Sequence, residues 1–538
     1  MKRKLIILST LVLAAVMLCT SCGYRAPEET VAPVITPKPL DAQSSPDDDG
    51  AAFDYQVSGT ITDHMVLQRN QYINVYGTSD KVGGIVYADF KGETRWAKVD
   101  ENGKWHIQFN PQAASKEATE LVVYNKAQGA DGGVKYTDIL IGDVWMVAGQ
   151  SNAQVALEST LDNNPDFINT ISADDNIRVF TQWYWDFVGT YFVDDETAVY
   201  QKAIEKKEMD NPPANVKWQN ASDKYKDEEG NEKYYAQGFS AVGYYFAKKV
   251  ADETDVPIGM IQAPAGGAGL HAFIPMDKNP EAKGVSIFEE SDVYNCLMAP
   301  FAKTSIAGML WYQGEANESA YYTYAEDLKG FIGDMRDIWG ENMPFYNVQI
   351  TSHNDAAGSW PNIQEIRYEQ AELIGEVDNY YLACTMDYGS NSLDTDWAHP
   401  RNKKHIGDRL GYIALSQYYG VEEFSLEDYG SPAVAKVEIK GDEAKVYFKY
   451  VGDGLKTSDG SDKVGGFYSK SAGQYLEAEI VGKNCVKVKL VDRAGYSITG
   501  ESFRLVYGTG AMADQTTCNL QNSNGIGAVS FAYTHIVE

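Results

Sequence analysis

Two periodicities alternate along residues 138–428. Runs in which nearly every position is apolar (DILIGDVWMVA, VPIGMIQA, SIAGMLWYQ, MPFYNVQI and NYYLACTMD) are separated by segments whose apolar residues recur at helical spacing. A run of consecutive apolar residues predicts a strand buried on both faces, and a helical stripe predicts a helix lying against it. In FSAVGYYFAKKVADE the stripe is Val242, Phe246 and Val250; in AEDLKGFIGDMRDIWG it is Leu328, Phe331, Met335, Ile338 and Trp339. Strands and helices in alternation predict an α/β domain whose parallel sheet is covered on both faces. Such sheets take ligands at the carboxyl ends of their strands.

The pattern changes on either side. Residues 53–137 carry short strand-like runs (YINVYG, GIVYADF, KWHIQFN, ELVVYN) broken by Gly, Asn and Asp turns, which predicts an antiparallel β domain of sandwich type. Residues 429–538 return to such runs (AKVEIKG, AKVYFKYV, CVKVKLV, SFRLVYG) and predict a second β domain. Within the central region, residues 165–235 are less regular, and DKYKDEEGNEKYY reads as a solvated insertion. Residues 23–52 are rich in Pro, Ser and Asp without hydrophobic period and read as a flexible tether. Residues 1–22 join a basic start to an apolar stretch and small residues, the pattern of a secretory signal peptide. The Thr20-Ser21-Cys22-Gly23 end resembles a bacterial lipoprotein processing site, with Cys22 as the lipidated residue and the protein held at the cell surface. No later apolar stretch is long enough to span a bilayer, so that anchor is the expected membrane contact.

A net charge of −30 argues against a nucleic-acid partner, since phosphates would be repelled, and favours an extracellular protein with a neutral ligand. Cys296, Cys384, Cys485 and Cys518 are too scattered for a metal site or a disulfide framework; one Cys485–Cys518 bridge and two buried thiols remain open alternatives.

The candidate chemistry lies where strands end. In GDVWMVAGQSN a buried strand gives way to Ser151 at a helix start. There the hydroxyl is presented at the sheet edge and free backbone N–H groups point outward. Ser151 is also a fitting N-cap, and the two readings stay open at this point. The G-x-S-x-G elbow of ordinary α/β-hydrolases is absent. A nucleophilic serine needs a base. His64, His106 and His535 fall in the flanking β domains and His353 in a loop, whereas His399 stands in DTDWAHP just before a helix. A carboxylate three residues before it, Asp396, can reach the imidazole within one turn and fix its tautomer; Asp394 is the alternative. Two more segments end strands: Gly266 and Gly267 in AGGAG, whose backbone N–H groups can approach a substrate oxygen, and WYQGEAN, which gathers amides and a carboxylate.

GDVWMVAGQSN, GGAG, WYQGEAN and DWAHPRNKKHIGDRL, in that order, resemble the motif blocks of the sialate O-acetylesterase-like branch of SGNH hydrolases (carbohydrate esterase family six and relatives). HMVLQRNQYINVYG and the GKW turn resemble that family's N-terminal β domain, and the C-terminal region is similar too. The resemblance implies an SGNH-type three-layer α/β/α domain with β-sandwich-like flanks. It implies Ser151 as nucleophile, His399 as general base and Asp396 as its orienter. Oxyanion donors would be the backbone N–H of Ser151, that of Gly266 or Gly267, and an amide of the QGEAN block, Gln313 first and then Asn317 or Asn152. Gln150, Asn152, Trp311, Tyr312, Glu315 and Trp397 are the implied substrate contacts, with Glu315 either buttressing the pocket or binding a sugar hydroxyl. The implied reaction is removal of acetyl groups from sialic acid or from xylan-, mannan- or pectin-type chains. It proceeds through an acetyl-enzyme, with no metal or organic cofactor. A carbohydrate-binding lipoprotein without turnover, and a lipase or thioesterase of the same fold, are the alternatives.

Overall fold

The computed structural model describes residues 23–25, 37–163, 165–184, 212, 216–352, 360–388, 399–500, 502–510, 513 and 517–536. The signal segment with Cys22, His353, and the stretch holding Asp394, Asp396 and Trp397 lie outside the described residues.

The chain has a mixed α/β architecture centred on one sheet. Its strands are β1 (Val134–Gly149), β2 (Ile177–Phe180), β3 (Trp218–Asn220), β4 (Ile258–Pro264), β5 (Gly308–Tyr312), β6 (Phe345–Val348) and β7 (Tyr380–Ala383). They lie in the spatial order β3-β2-β4-β1-β5-β6-β7. All pairings are parallel except that of the edge strand β3 with β2. Every residue of β4, β5, β6 and β7 is buried, as their continuous apolar runs predict.

Helices α1 (Ser151–Gln154), α2 (Ala241–Glu253), α3 (Tyr324–Trp339), α4 (Ile363–Glu372) and α5 (Lys403–Gln417) accompany the sheet. Leu328, Phe331 and Met335 of α3 are buried as expected. Trp145 of β1 packs edge-on against Phe246 of α2 and against Tyr418, whereas Trp311 of β5 packs against Phe331 of α3. Trp311 is in register with Ala148, whose side chain points away from the face that Trp145 occupies, so helices cover both sides of the sheet. Helix α5 comes unusually close to α2. A Cβ on Gly407 would lie 2.5 Å from the Tyr245 Cβ and 2.8 Å from the Val242 carbonyl, so only glycine permits this approach.

The 137/138 boundary expected from the change in hydrophobic pattern falls inside one strand. The first part of β1 pairs antiparallel with Ser115–Asn125 of the first β region, and its second part is the centre of the parallel sheet. At the junction the fully buried Asp143 carboxylate accepts from Arg69 at 3.0 Å, Gln68 Nε2 at 2.9 Å and Tyr418 at 3.1 Å. The tether is also shorter than expected, because residues 37–52 run along the first β region. Leu40 N donates to Asn110 (2.7 Å), Arg95 to the Asp41 carbonyl (2.7 Å) and Tyr87 to Asp48 (2.8 Å). Side chains of the neighbouring strands satisfy this backbone, which has no hydrophobic period of its own.

The C-terminal region forms a sheet over Ala433–Lys440, Glu443–Lys449, Cys485–Lys489 and Ala478–Ile480, and another over Gln474–Tyr475, Phe467–Ser469, Ser502–Tyr507 and Phe531–Ile536. It docks by buried polar contacts. Gln349, just past β6, exchanges hydrogen bonds with the backbone of Ser530 at 3.0 and 2.9 Å. The buried guanidinium of Arg367 donates to the Thr351, Gly508 and Gly510 carbonyls. Cys296, Cys384, Cys485 and Cys518 are all free and buried, which decides between the alternatives for the last two.

Candidate active site

The three central strands end side by side at Gly149, which is in register with Pro264 and with Tyr312. Gly149 has φ +131°, and a Cβ there would lie 2.2 Å from the Tyr312 carbonyl oxygen. Only glycine lets the chain leave the sheet so close to its neighbour. Gln150 N then donates to that carbonyl at 3.0 Å, and the chain enters α1 at Ser151. The short helix is tied to α2. Ser240, the N-cap of α2, accepts from Gly243 N and donates its hydroxyl to the Ala153 carbonyl at 2.7 Å. Ser151 is therefore the first helical residue, and Gln150 occupies the cap position.

His399 meets Ser151 here. Its Nε2 lies 2.8 Å from the Ser151 hydroxyl oxygen, across 248 residues of sequence, and both side chains are half-buried. A hydroxyl in contact with an imidazole nitrogen can pass its proton to that nitrogen as it attacks a carbonyl carbon. His399 lies in the segment just before α5, the helix held against α2 through Gly407.

The amides expected to face substrate divide into two groups. Gly266 does not offer a free N–H, because it donates to Gln154 Oε1 at 2.7 Å. Gly267 follows it in the Ala265–Ala268 turn with φ +80°, and both glycines are half-buried. Gln313 is wholly buried, and its amide is engaged with Asn317 Oδ1 (2.8 Å), Gln150 Oε1 (3.2 Å) and the Ala268 carbonyl (3.3 Å), while Tyr324 donates to its oxygen. It fastens the loop and is not placed as an oxyanion donor. Asn317 accepts from Leu270 N and Gln313 through its oxygen; its amide nitrogen has one long contact, 3.4 Å to the Lys283 carbonyl. Gln150 likewise points inward, its Oε1 taking the N–H of Gly314 and of Ala316.

Trp311 and Tyr312 are also scaffold and not substrate contacts. Trp311 is fully buried among Phe273, Phe331 and Phe345. Tyr312 is buried, with the Lys403 ammonium 5.1 Å from its ring centre, and burial holds its hydroxyl far above the ordinary range. Strands buried on both faces leave no side chain for a ligand until the chain has left the sheet.

Beneath Ser151 sits a buried polar group. Asn152 donates to Glu315 Oε1 at 2.7 Å and accepts from Lys403 Nζ at 2.5 Å. Asn152, Glu315 and Lys403 are 1, 4 and 0% exposed, which places a carboxyl and an amino group in the interior. Burial raises the Glu315 carboxyl above its ordinary range, opposed by its own backbone N–H, Asn152, His399 and Lys403. Glu315 Oε2 is buried without a hydrogen-bond partner. Sequence reasoning missed Lys403 and Gln154. Gln154 could have been noticed one turn after Ser151, but nothing in the sequence distinguishes Lys403 from its neighbour Lys404, which is half-buried and pairs with Asp408, except the helical face it occupies.

Among the described residues no group of three or more His, Cys, Asp or Glu is arranged to hold a metal ion, and no helix is long and apolar enough to cross a membrane.

Residues 187–414 match the family of carbohydrate esterases described as sialic acid-specific acetylesterases, a stretch that includes the Gly266–Gly267 turn, the QGEAN segment and His399. The human sialate O-acetylesterase is 23% identical over 424 residues, which cover 73% of this chain and 76% of that protein. The rat sialate O-acetylesterase is 22% identical over 451 residues, covering 72% and 78%. A solved carbohydrate acetylesterase from Xanthomonas citri shares the fold, with a TM-score of 0.71 and 23% identity over 89% of this chain and 99% of that one.

Proposed function

Because the chain belongs to the sialate O-acetylesterase-like carbohydrate esterases, which are carboxylic ester hydrolases, we propose that it removes acetyl groups from acetylated saccharides with Ser151 as nucleophile and His399 as base. The observation that carries this reading is the 2.8 Å contact between His399 Nε2 and the Ser151 hydroxyl at the carboxyl end of the central strand. His399 takes the serine proton as the hydroxyl attacks the acetyl carbonyl. The resulting oxyanion is held by the backbone N–H of Ser151, which as the first residue of a helix has no acceptor within it, and by the N–H of Gly267. The amide nitrogen of Asn317 takes the place first expected of Gln313. The sugar alkoxide leaves with the proton from His399, and water activated by the same imidazole then releases acetate and regenerates Ser151. Asp396 is assigned as the orienter of His399 on the sequence alone, and Trp397 as a substrate contact likewise.

The parallel sheet with helices on both sides fits the SGNH-type three-layer arrangement, with the two β regions as sandwich-like flanks. The signal pattern and Cys22 in the sequence support an extracellular enzyme held on a lipid anchor.

The test is acetate release by the wild type and by Ser151→Ala on acetylated xylan, glucomannan, pectin and O-acetylated sialic acid. Release from one of them that falls by several powers of ten in the variant identifies the nucleophile and the glycan. Unchanged release in Ser151→Ala would refute the assignment. No release from any of them, with glycan binding retained, would favour the binding-protein alternative.

A further inference from the structure

The mechanism above uses Ser151 and His399 but leaves the buried group beneath them without a task. Asn152 follows the nucleophile directly, and its side chain is gripped from both ends, by Glu315 Oε1 at 2.7 Å and by Lys403 Nζ at 2.5 Å. These three residues come from three different parts of the site. Asn152 lies in the turn after β1, Glu315 in the segment after β5, and Lys403 at the first position of α5, the helix just after His399. An ammonium and a carboxylate, both at 4% exposure or less, are costly to bury. Apolar residues of similar size would hold the same three elements together at lower cost. We propose that Glu315 and Lys403 are positioning residues that act through Asn152. Their opposite charges lock the Ser151 turn to the start of α5, so that the Ser151 hydroxyl and His399 Nε2 are held at reacting distance.

The arrangement also has an electrostatic side. When His399 accepts the serine proton it becomes a cation. His399 is among the groups that favour the charged form of Glu315, whose Oε2 is buried with no hydrogen-bond partner. The groups that act on Glu315 are Asn152, His399 and Lys403, and its own charge acts on Tyr312 and Tyr324. Lys403 offsets the buried negative charge in the resting state, and the imidazolium adds to that attraction during acyl transfer.

This inference rests on the proposed serine esterase reading, and the experiment separates the two. Glu315→Gln keeps an acceptor for Asn152 and removes the charge; Lys403→Met removes the other charge; the double variant restores neutrality. Each is assayed with 4-nitrophenyl acetate for kcat and KM, and for its rate of labelling by a serine-reactive fluorophosphonate, after thermal unfolding has established that it folds. Both single variants are expected to lose 10- to 100-fold in kcat and in labelling rate with KM within about twofold of wild type. The double variant is expected to recover thermal stability but not kcat, a split that a purely structural pair would not give. Wild-type kcat in folded Glu315→Gln and Lys403→Met, or kcat recovered together with stability in the double variant, would overturn the inference. Turnover or labelling that persists in Ser151→Ala would overturn the serine esterase reading instead.

Discussion

Gly149 fixes where Ser151 stands, and Gly149→Ala tests that directly. An alanine Cβ at this position would lie 2.2 Å from the Tyr312 carbonyl oxygen and 2.6 Å from its carbonyl carbon, whereas ordinary contact begins at 3.4 Å. The two strands would have to separate by about 1.2 Å at their ends to relieve it, and both partners are backbone, so no side chain can swing aside. The φ of +131° adds strain of about 1–3 kcal/mol for a residue with a side chain. Separation would also weaken the hydrogen bond from Gln150 N to Tyr312 O, worth about 0.5–1.5 kcal/mol. The expected loss of stability is thus about 2–4 kcal/mol, read from the urea midpoint of tryptophan fluorescence. The effect on turnover is larger than that loss alone implies. Ser151 is two residues on, and a displacement of about 1 Å at a reacting group can cost about 100-fold in rate. Folded Gly149→Ala should therefore show kcat reduced on that order while its circular dichroism stays native. A variant that folds and turns over at the wild-type rate would refute the claim that this close approach places Ser151 for reaction.

Two other predictions follow from buried charge. Asp387, 7% exposed, accepts from Arg409 of α5 at 2.5 and 2.7 Å and from Gly527 N of the C-terminal region at 2.9 Å; Asp387→Asn should lower stability by about 3–5 kcal/mol in urea unfolding and reduce kcat, because His399 stands just before α5. Glu369 is raised from 4.5 to about 7 by burial and then by the neighbouring Glu372 charge, so the folded state holds its proton more tightly than the unfolded chain. Its contribution to stability falls as pH rises from 4.5 through about 7. Full expression of that rise would be worth about 3 kcal/mol, reduced to about 1 kcal/mol by screening at a side chain that is only half-buried. Glu369→Gln should match the wild type near pH 4.5 and exceed it by that amount at pH 8, measured as the urea midpoint against pH. Parallel pH curves for the two proteins would show that Glu369 is not the group responsible.

The chain alone determined the alternation of buried strands and amphipathic helices, because a strand covered on both faces must be apolar at every position and a helix against it only on one stripe. It also singled out Ser151 and His399 as candidates, since few residue types can serve as nucleophile and base and both stand at element ends, and the fold brings the two side chains to 2.8 Å. The tertiary structure decided which polar groups remain for a substrate. Gln150 and Gln313 look like ligands for a sugar on sequence, but Gly314, Ala316, Asn317 and Ala268 engage them. Gly266 is engaged in the same way by Gln154 across 112 residues. Lys403 reads as one of two surface lysines until the fold turns it onto Asn152. Hydrophobic periodicity is a local property, written within ten residues of sequence. Whether a buried amide or ammonium is satisfied depends on partners brought close only when distant strands align. That is why the sequence identified the elements and the candidate pair, and the fold alone assigned the donors and buried groups around them.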